Sequence, residues 1–406
     1  MNLSVVIVGH IDHGKSTLIG RLLYDSESIP QEKIAEVQKV IEEYRKRFEF
    51  AYFLDSYEEE LKEERTIDTT RVLFKGKRYY TVVDVPGHKE FIKNMLSGAC
   101  HAQVGILVVS APNGVEEQTR RHSFLLHMLG ITQMVVAINK MDLMDYQEES
   151  FQKLKYETSR LVHPLGFSIA EFIPVSALEG DNVYKPSQRM QWYKGPTLVE
   201  ALDGIEIEPA TKKPLRFVVQ DTYSINDSRI TVGRVESGNL RKGDQLSFEP
   251  DGVRSEVKAI KVHHTEKEEA ESGDSIGILL DTEVGRGNVG GHLVSPPKAS
   301  RRFIGEVVLL QGILSRGDTL ELKCGTRKTA CVAENLRERI SSETGEVTGI
   351  NPQKIEENEA ATIIFETEPI VVEKFSEIPE LGRFVLVKGA RNIGAGIVLE
   401  TDAPST

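Results

Sequence analysis

GHIDHGKST, residues 9–17, decides how the rest of the chain is read. From Gly9 to Ser16 it has the spacing G-x-x-x-x-G-K-S. The apolar run SVVIVG leads into it. The stretch that follows, KSTLIGRLLYD, places Leu18 with Leu22 and Ile19 with Leu23 at helical spacing. A glycine-rich loop between a buried strand and a helix is the setting in which this pattern cradles phosphate. The glycines let the backbone N–H groups of Gly9, His10, Ile11, Asp12, His13 and Gly14 close around the phosphates. Lys15 reaches the β- and γ-phosphates. The Ser16 hydroxyl ligates Mg²⁺, and Thr17 lies beside it on the helix N-terminus.

Working outward, the first half of the chain alternates strand-like and helix-like segments. SVVIVG, RYYTVVDV, VGILVVSA, QMVVAINK and FIPVSA are nearly continuous Val- and Ile-rich runs, as buried parallel strands require. KIAEVQKVIEEY puts Ile34, Val37, Ile41 and Tyr44 on one helical face. Alternation of this kind implies an α/β sheet with helices on both sides. Near residue 206 the pattern changes. IEIEPATKKPLRF carries two prolines without periodicity and reads as a linker. Short strands with Gly-Asp, Gly-Asn and Asp-Gly turns then predict an antiparallel barrel. PPKAS, residues 296–300, breaks the chain again before a second barrel: IGEVVLL, DTLELKC, AATIIF, GRFVLVKG and GAGIVLE. The domains expected are residues 1–207, 208–299 and 300–406.

Composition bounds the setting. The 406 residues are 39% hydrophobic and 28% charged, the balance of a soluble globular protein. No charged-then-apolar leader and no apolar run of about 20 residues is present. A cytoplasmic location with no membrane partner is therefore expected. Cys100, Cys324 and Cys331 lack metal-ligand spacing and read as reduced thiols. The net charge of -12 is a poor footprint for sequence-independent nucleic-acid binding, although a local basic patch can act inside an acidic protein.

Two further motifs complete a nucleotide site. DVPG, residues 84–87, ends the strand YTVVDV. Asp84 holds Mg²⁺ through water, the Gly87 N–H bonds the γ-phosphate, and His88 orients the attacking water. NKMD, residues 139–142, ends the strand MVVAINK and chooses the base. With Asn139 and Lys140 beside it, the Asp142 carboxylate accepts two N–H bonds from the guanine Watson–Crick edge, and adenine offers no matching pair. SAL, made of Ser176, Ala177 and Leu178, closes over the base through backbone N–H groups.

At this point the chain resembles the translation-factor-type GTPases. GHIDHGKST, DVPGHKEFIKNM, QTRRHSFLL, NKMD, GDNV and WYKGPTLVEAL carry the resemblance, with GRVESGNLRKGD in the second domain and FSEIPELGRFVLV in the third. It covers nearly the whole chain. It implies an α/β P-loop GTPase domain with a mostly parallel, doubly wound sheet, followed by two antiparallel β-barrel domains. It also implies GTP as substrate, GDP as product and Mg²⁺ as cofactor. In this family a threonine of the first switch binds Mg²⁺ and the γ-phosphate. In EERTIDTT, residues 63–70, Thr66 takes its position. Glu64 then replaces the family glycine and Arg65 the isoleucine of an apolar gate, whose partner matches Ile11. Arg65 is no apolar wall, which suggests slow intrinsic hydrolysis or a differently controlled approach of His88 to water.

Other polar features read as structural. His10 and His13 sit in the phosphate loop with side chains packing outward. His263 and its neighbour point to opposite sides of a strand, which excludes a shared metal site. The acidic run EKEEAES, residues 266–272, reads as a solvated loop.

Two branches of the family compete. STLIGRLLYDS, QTRRHSFLL and the short APNGVEEQTRR link resemble the GTPase subunit of bacterial sulfate adenylyltransferase, whose partner is a separate catalytic ATP-sulfurylase subunit. The other branch is elongation factor one-alpha, whose partners are aminoacyl-tRNA and the ribosome; His13 leans that way. From residue 301 onward 13 Lys and Arg stand against 17 Asp and Glu, which argues against a large tRNA surface. The reading favoured from sequence is the sulfate-activation subunit, with the elongation factor as the alternative.

Overall fold

The computed structural model describes residues 3–32, 34–35, 50, 70–84, 102–128, 130–206, 210–225, 228–262, 265–341 and 345–402. They form two compact units, Met1–Glu206 with Ser342–Gly345, and Ile207–Ser341 with Glu346–Thr406. Elements are numbered among the described residues.

The first unit is built on a six-stranded sheet. β1 (Leu3–Gly9) is followed by α1 (Lys15–Asp25), β2 (Thr70–Lys75), β3 (Tyr79–Asp84) and β4 (Val104–Ser110). Then come α2 (Glu117–Met128), β5 (Gln133–Asn139), α3 (Glu148–Val162), β6 (Ser168–Pro174) and α4 (Leu198–Asp203). The strand order is β2-β3-β1-β4-β5-β6. β1 lies between β3 and β4, parallel to both. The winding direction therefore reverses beside β1, and the loop leaving its carboxyl end sits at the switch point where such sheets bind ligands.

Every residue of β4 is buried, as a central parallel strand requires. β2 was not among the expected strands. It is an antiparallel edge strand on β3, with Val72 and Phe74 buried and Leu73 exposed. That alternation is weaker than a continuous apolar run. β6 spans residues 168–174, so the expected strand FIPVSA is shifted: it stops at Pro174 and leaves Ser176 and Ala177 in the following loop. α3 is amphipathic, burying Phe151, Leu154, Thr158, Leu161 and Val162, with Glu148 and Glu149 in its first turn and Arg160 in its last. Of the helix expected over residues 33–44, only 34–35 are described.

The second unit holds two six-stranded antiparallel barrels. In the first, Gln245–Glu249, Val289–His292, Arg216–Ile225, Ser228–Ser237, Ser275–Leu280 and Val253–Val262 pair in that order, and the last pairs back to the first. Phe217, Leu246, Phe248, Val257, Ile260 and Ile278 fill it. The second barrel closes through Thr319–Cys324, Arg383–Lys388, Arg391–Thr401, Ala299–Leu309, Glu359–Val371 and Arg327–Ser341. Phe303, Phe365 and Phe384 meet inside it with centroids 5.3–5.4 Å apart. The acidic run at 266–272 is not a loop. Glu269–Glu271 pairs with Asn239–Arg241 and buries Ala270 in the core, while Glu266 and Glu269 face Lys242 and Arg241.

The two barrels share an apolar seam of Val218, Val289, Val371, Ile378 and Leu381. Beside it the buried Arg216 Nε donates to Glu373 Oε1 at 2.6 Å. Cys324 and Cys331 are free and buried, and burial pushes each thiol up to about 12, which leaves them unreactive. Cys100 and His263 lie outside the described residues. No helix among the described residues is long and apolar enough to cross a membrane.

Candidate functional site

The phosphate loop leaves β1 at Gly9 and enters α1 at Lys15. Gly14 is the N-cap, with φ of 88° in the left-handed region, and no side chain caps the helix. The first-turn N–H groups of α1 therefore have no side-chain acceptor at the cap, and the helix start carries partial positive charge. Glycine is required at 14 for space as well. A Cβ there would lie 2.4 Å from Asn139 Nδ2. Asp12 also adopts a left-handed φ, and Ile11 is exposed. Lys15 Nζ donates to the carbonyls of Gly9 and His10 at 2.9 Å, which folds the ammonium over the loop. Ser16 and Thr17 occupy the first turn of α1.

Asn139 ends β5 and joins this loop to the base motif. Its Nδ2 donates to the His13 carbonyl at 2.9 Å, and its Oδ1 accepts from Ala177 N at 2.9 Å. Lys140 turns through a left-handed φ into a short 3₁₀ turn, Met141–Met144, with Asp142 in its first turn. Ser176 Oγ donates to Asp142 Oδ1 at 2.6 Å. Gly180 N closes back on the Ser176 carbonyl at 2.7 Å, and Leu178 sits half-exposed at the loop tip. Residues 9–15, 139–142 and 176–178, far apart in sequence, are thus brought into one hydrogen-bonded assembly.

Thr66, Gly87 and His88 lie outside the described residues, as do Glu64 and Arg65. Asp84 closes β3, and only its backbone is described. His13 corrects the outward-packing expectation. It is fully buried, with Nδ1 3.1 Å from the Val108 carbonyl and Nε2 2.8 Å from Glu116 Oε2. Burial pulls its pKa down against the raising effect of these two acceptors. His10 remains partly exposed, 3.7 Å from the same carboxylate. Glu116 and Arg21 were missed from sequence. Both lie in stretches that carry the family resemblance, STLIGRLLYDS and APNGVEEQTRR, but each acts on a partner roughly 100 or more residues away, which no local spacing marks.

Comparison with known proteins agrees with this geometry. Residues 2–208 match the elongation factor Tu GTP binding domain, 228–285 match elongation factor Tu domain 2, and 302–399 match the GTP-eEF1A C-terminal domain-like family. Elongation factor 1-alpha of Methanothermobacter thermautotrophicus is 41% identical over 411 residues, covering 98% of this chain and 97% of that protein. That of Archaeoglobus fulgidus is 43% identical over 412 residues, with coverage of 98% and 97%. That of Methanocaldococcus jannaschii is 42% identical over 418 residues, with coverage of 99% and 98%. These relatives give the sulfate-activation reading and its ATP-sulfurylase partner no support. The acidic total beyond residue 301 does not weigh against these relatives, because net charge says little about a local surface.

Proposed function

The chain belongs to the elongation factor Tu type family of GTPases, and from that membership we propose that it is a switch of the elongation factor 1-alpha kind, holding aminoacyl-tRNA while GTP is bound and releasing it on the ribosome after hydrolysis. In this reading residues 1–207 bind the nucleotide, and the barrels at 208–299 and 300–406 complete the tRNA-binding body. The observation that carries the nucleotide part is Asn139, which bonds the phosphate loop with one amide atom and the base loop with the other.

The residues divide the work. N–H groups at the start of α1 and the Lys15 ammonium bind the phosphates. The Asp142 carboxylate, oriented by Ser176, accepts from the guanine edge. Backbone N–H groups of 176–178 cover the base. His88 orients the attacking water. Ser16, Thr66 and Asp84 offer two hydroxyls and a carboxylate, hard oxygen donors of the kind Mg²⁺ takes, and they would hold it. When bound, it supplies positive charge against the phosphates. Loss of the γ-phosphate removes what Thr66 and Gly87 hold, so both segments relax.

Protection of aminoacyl-tRNA tests the biological half. The full chain with GTP should slow spontaneous hydrolysis of the aminoacyl ester, and with GDP it should not. Equal hydrolysis in both states would sink the delivery role and leave the GTPase intact.

A further inference from the structure

Arg21 lies on α1, beyond Lys15, and its guanidinium is used on every side. Nε donates to Asp25 Oδ2 at 2.8 Å, one helical turn on. Nη1 donates to the Leu178 carbonyl at 3.2 Å. The group lies over the Phe50 ring, 4.7 Å from its centroid. Its remaining edge rests against Gly180, where a Cβ would come within 2.1 Å of Nη2. Gly180 has a φ of +84°, so the loop backbone itself is turned to admit the guanidinium.

Leu178 belongs to the loop that Ala177 ties to Asn139 and Ser176 ties to Asp142. The loop is therefore held from two directions, by the base motif and by the helix that begins at the phosphate loop. The ties close into a ring: phosphate loop to Asn139, Asn139 to Ala177, Leu178 to Arg21, and Arg21 back along α1. An Arg paired at i,i+4 on an exposed helix contributes little. Arg21 differs because it and Asp25 are mostly buried, at 18% and 13% side-chain exposure, and because the bond crosses 157 positions to another loop. Its planar fork serves the carboxylate and the carbonyl together, and a charged donor to a carbonyl is stronger than a neutral one. Lysine has no such fork.

We propose that Arg21 is a positioning residue for guanine recognition, fixing the loop at 176–180 at the height set by α1 and the phosphate loop. The proposal rests on the guanine-nucleotide reading of the site.

Release of a fluorescent GDP analogue from the full chain, with competition by GDP and by inorganic pyrophosphate, tests it. Arg21→Ala should release GDP roughly tenfold faster, the loss of about one charge-assisted hydrogen bond. Arg21→Lys should fall between it and wild type. Asp25→Asn, which frees the guanidinium, should give about a threefold effect in the same direction. Affinity for inorganic pyrophosphate, which fills the phosphate loop without a base, should stay within about twofold, since the base loop does not touch it. Wild-type GDP release from Arg21→Ala overturns the proposal. A parallel loss of GDP and pyrophosphate affinity also overturns it, because Arg21 would then only brace α1. A wild-type chain that binds no GDP overturns the nucleotide reading and this proposal together.

Discussion

In the proposed function Asp142 carries base choice through a single carboxylate, so one atom tests it. Asp142→Asn replaces an acceptor with a donor, and the amide then faces the guanine N–H groups. GTP affinity should fall by about 100-fold while xanthosine triphosphate affinity rises, as competition binding would show. Unchanged preference would remove the base assignment. By the resemblance of the first switch, Arg65 takes the place of an apolar gate residue. Arg65→Ile should raise the basal GTPase rate if that departure slows hydrolysis, and single-turnover phosphate release measures it. The stretches at 9–17 and 139–142, which the structure brings together, stood out in the sequence because phosphate and base contacts demand particular residues at fixed spacing, whereas of 84–87 only the Asp84 backbone is described. His13 was not. Its burial depends on Val108 and Glu116, which meet it only after β1 and β4 pair.

At the scale of elements, α4 shows a local rule at work. Thr197 and Glu200 form a reciprocal capping box, with Thr197 Oγ1 accepting from Glu200 N and Glu200 Oε2 accepting from Thr197 N. Thr197→Ala should cost about 1 kcal/mol, read from thermal or urea unfolding by the fluorescence of Trp192, the single tryptophan. The strand Arg327–Ser341 shows the opposite case. It contains ENLRER, good helix formers apart from Asn335, yet it pairs along both neighbours. Two register shifts, at Ala333/Asn335 and Leu336/Glu338, keep Ala333, Leu336 and Ile340 buried. Propensity pointed away from strand, and tertiary pairing overrode it. On the same barrel Glu306 and Glu338 flank Thr362 from its two neighbouring strands. Burial, then the Glu338 charge, pushes the Glu306 carboxyl up to about 7 from 4.5. Between those values the folded chain keeps a proton that the unfolded chain has lost. Stability therefore falls as pH rises through this window, and the penalty is complete above it. Glu306→Gln should stabilise by up to about 3 kcal/mol at pH 8 and far less near pH 5. Chemical denaturation at the two pH values checks both.

The two barrels share an apolar seam and, among the described residues, a buried ion pair. Arg216→Ala would strand Glu373 beside Val371, and a loss of about 3–5 kcal/mol is expected, with faster amide exchange over residues 216–225 and 370–371. Replacing both partners with apolar residues of similar volume should recover most of that loss. The sequence by itself determined the fold class and the GTPase family. Buried parallel strands need continuous apolar runs, barrels need frequent turns, and a phosphate loop needs glycines at set positions, so each left a local mark. Only the tertiary structure decided which side chains lock the site together. Asn139 reaches His13 and Ala177, Arg21 reaches Leu178, and Glu116 reaches His13, all across long sequence separations. Such contacts depend on strand order and register, which no short stretch encodes. The choice between family branches came from neither short motifs nor packing: total charge and a few short motifs pointed to sulfate activation, while similarity along the whole chain points to elongation factor 1-alpha.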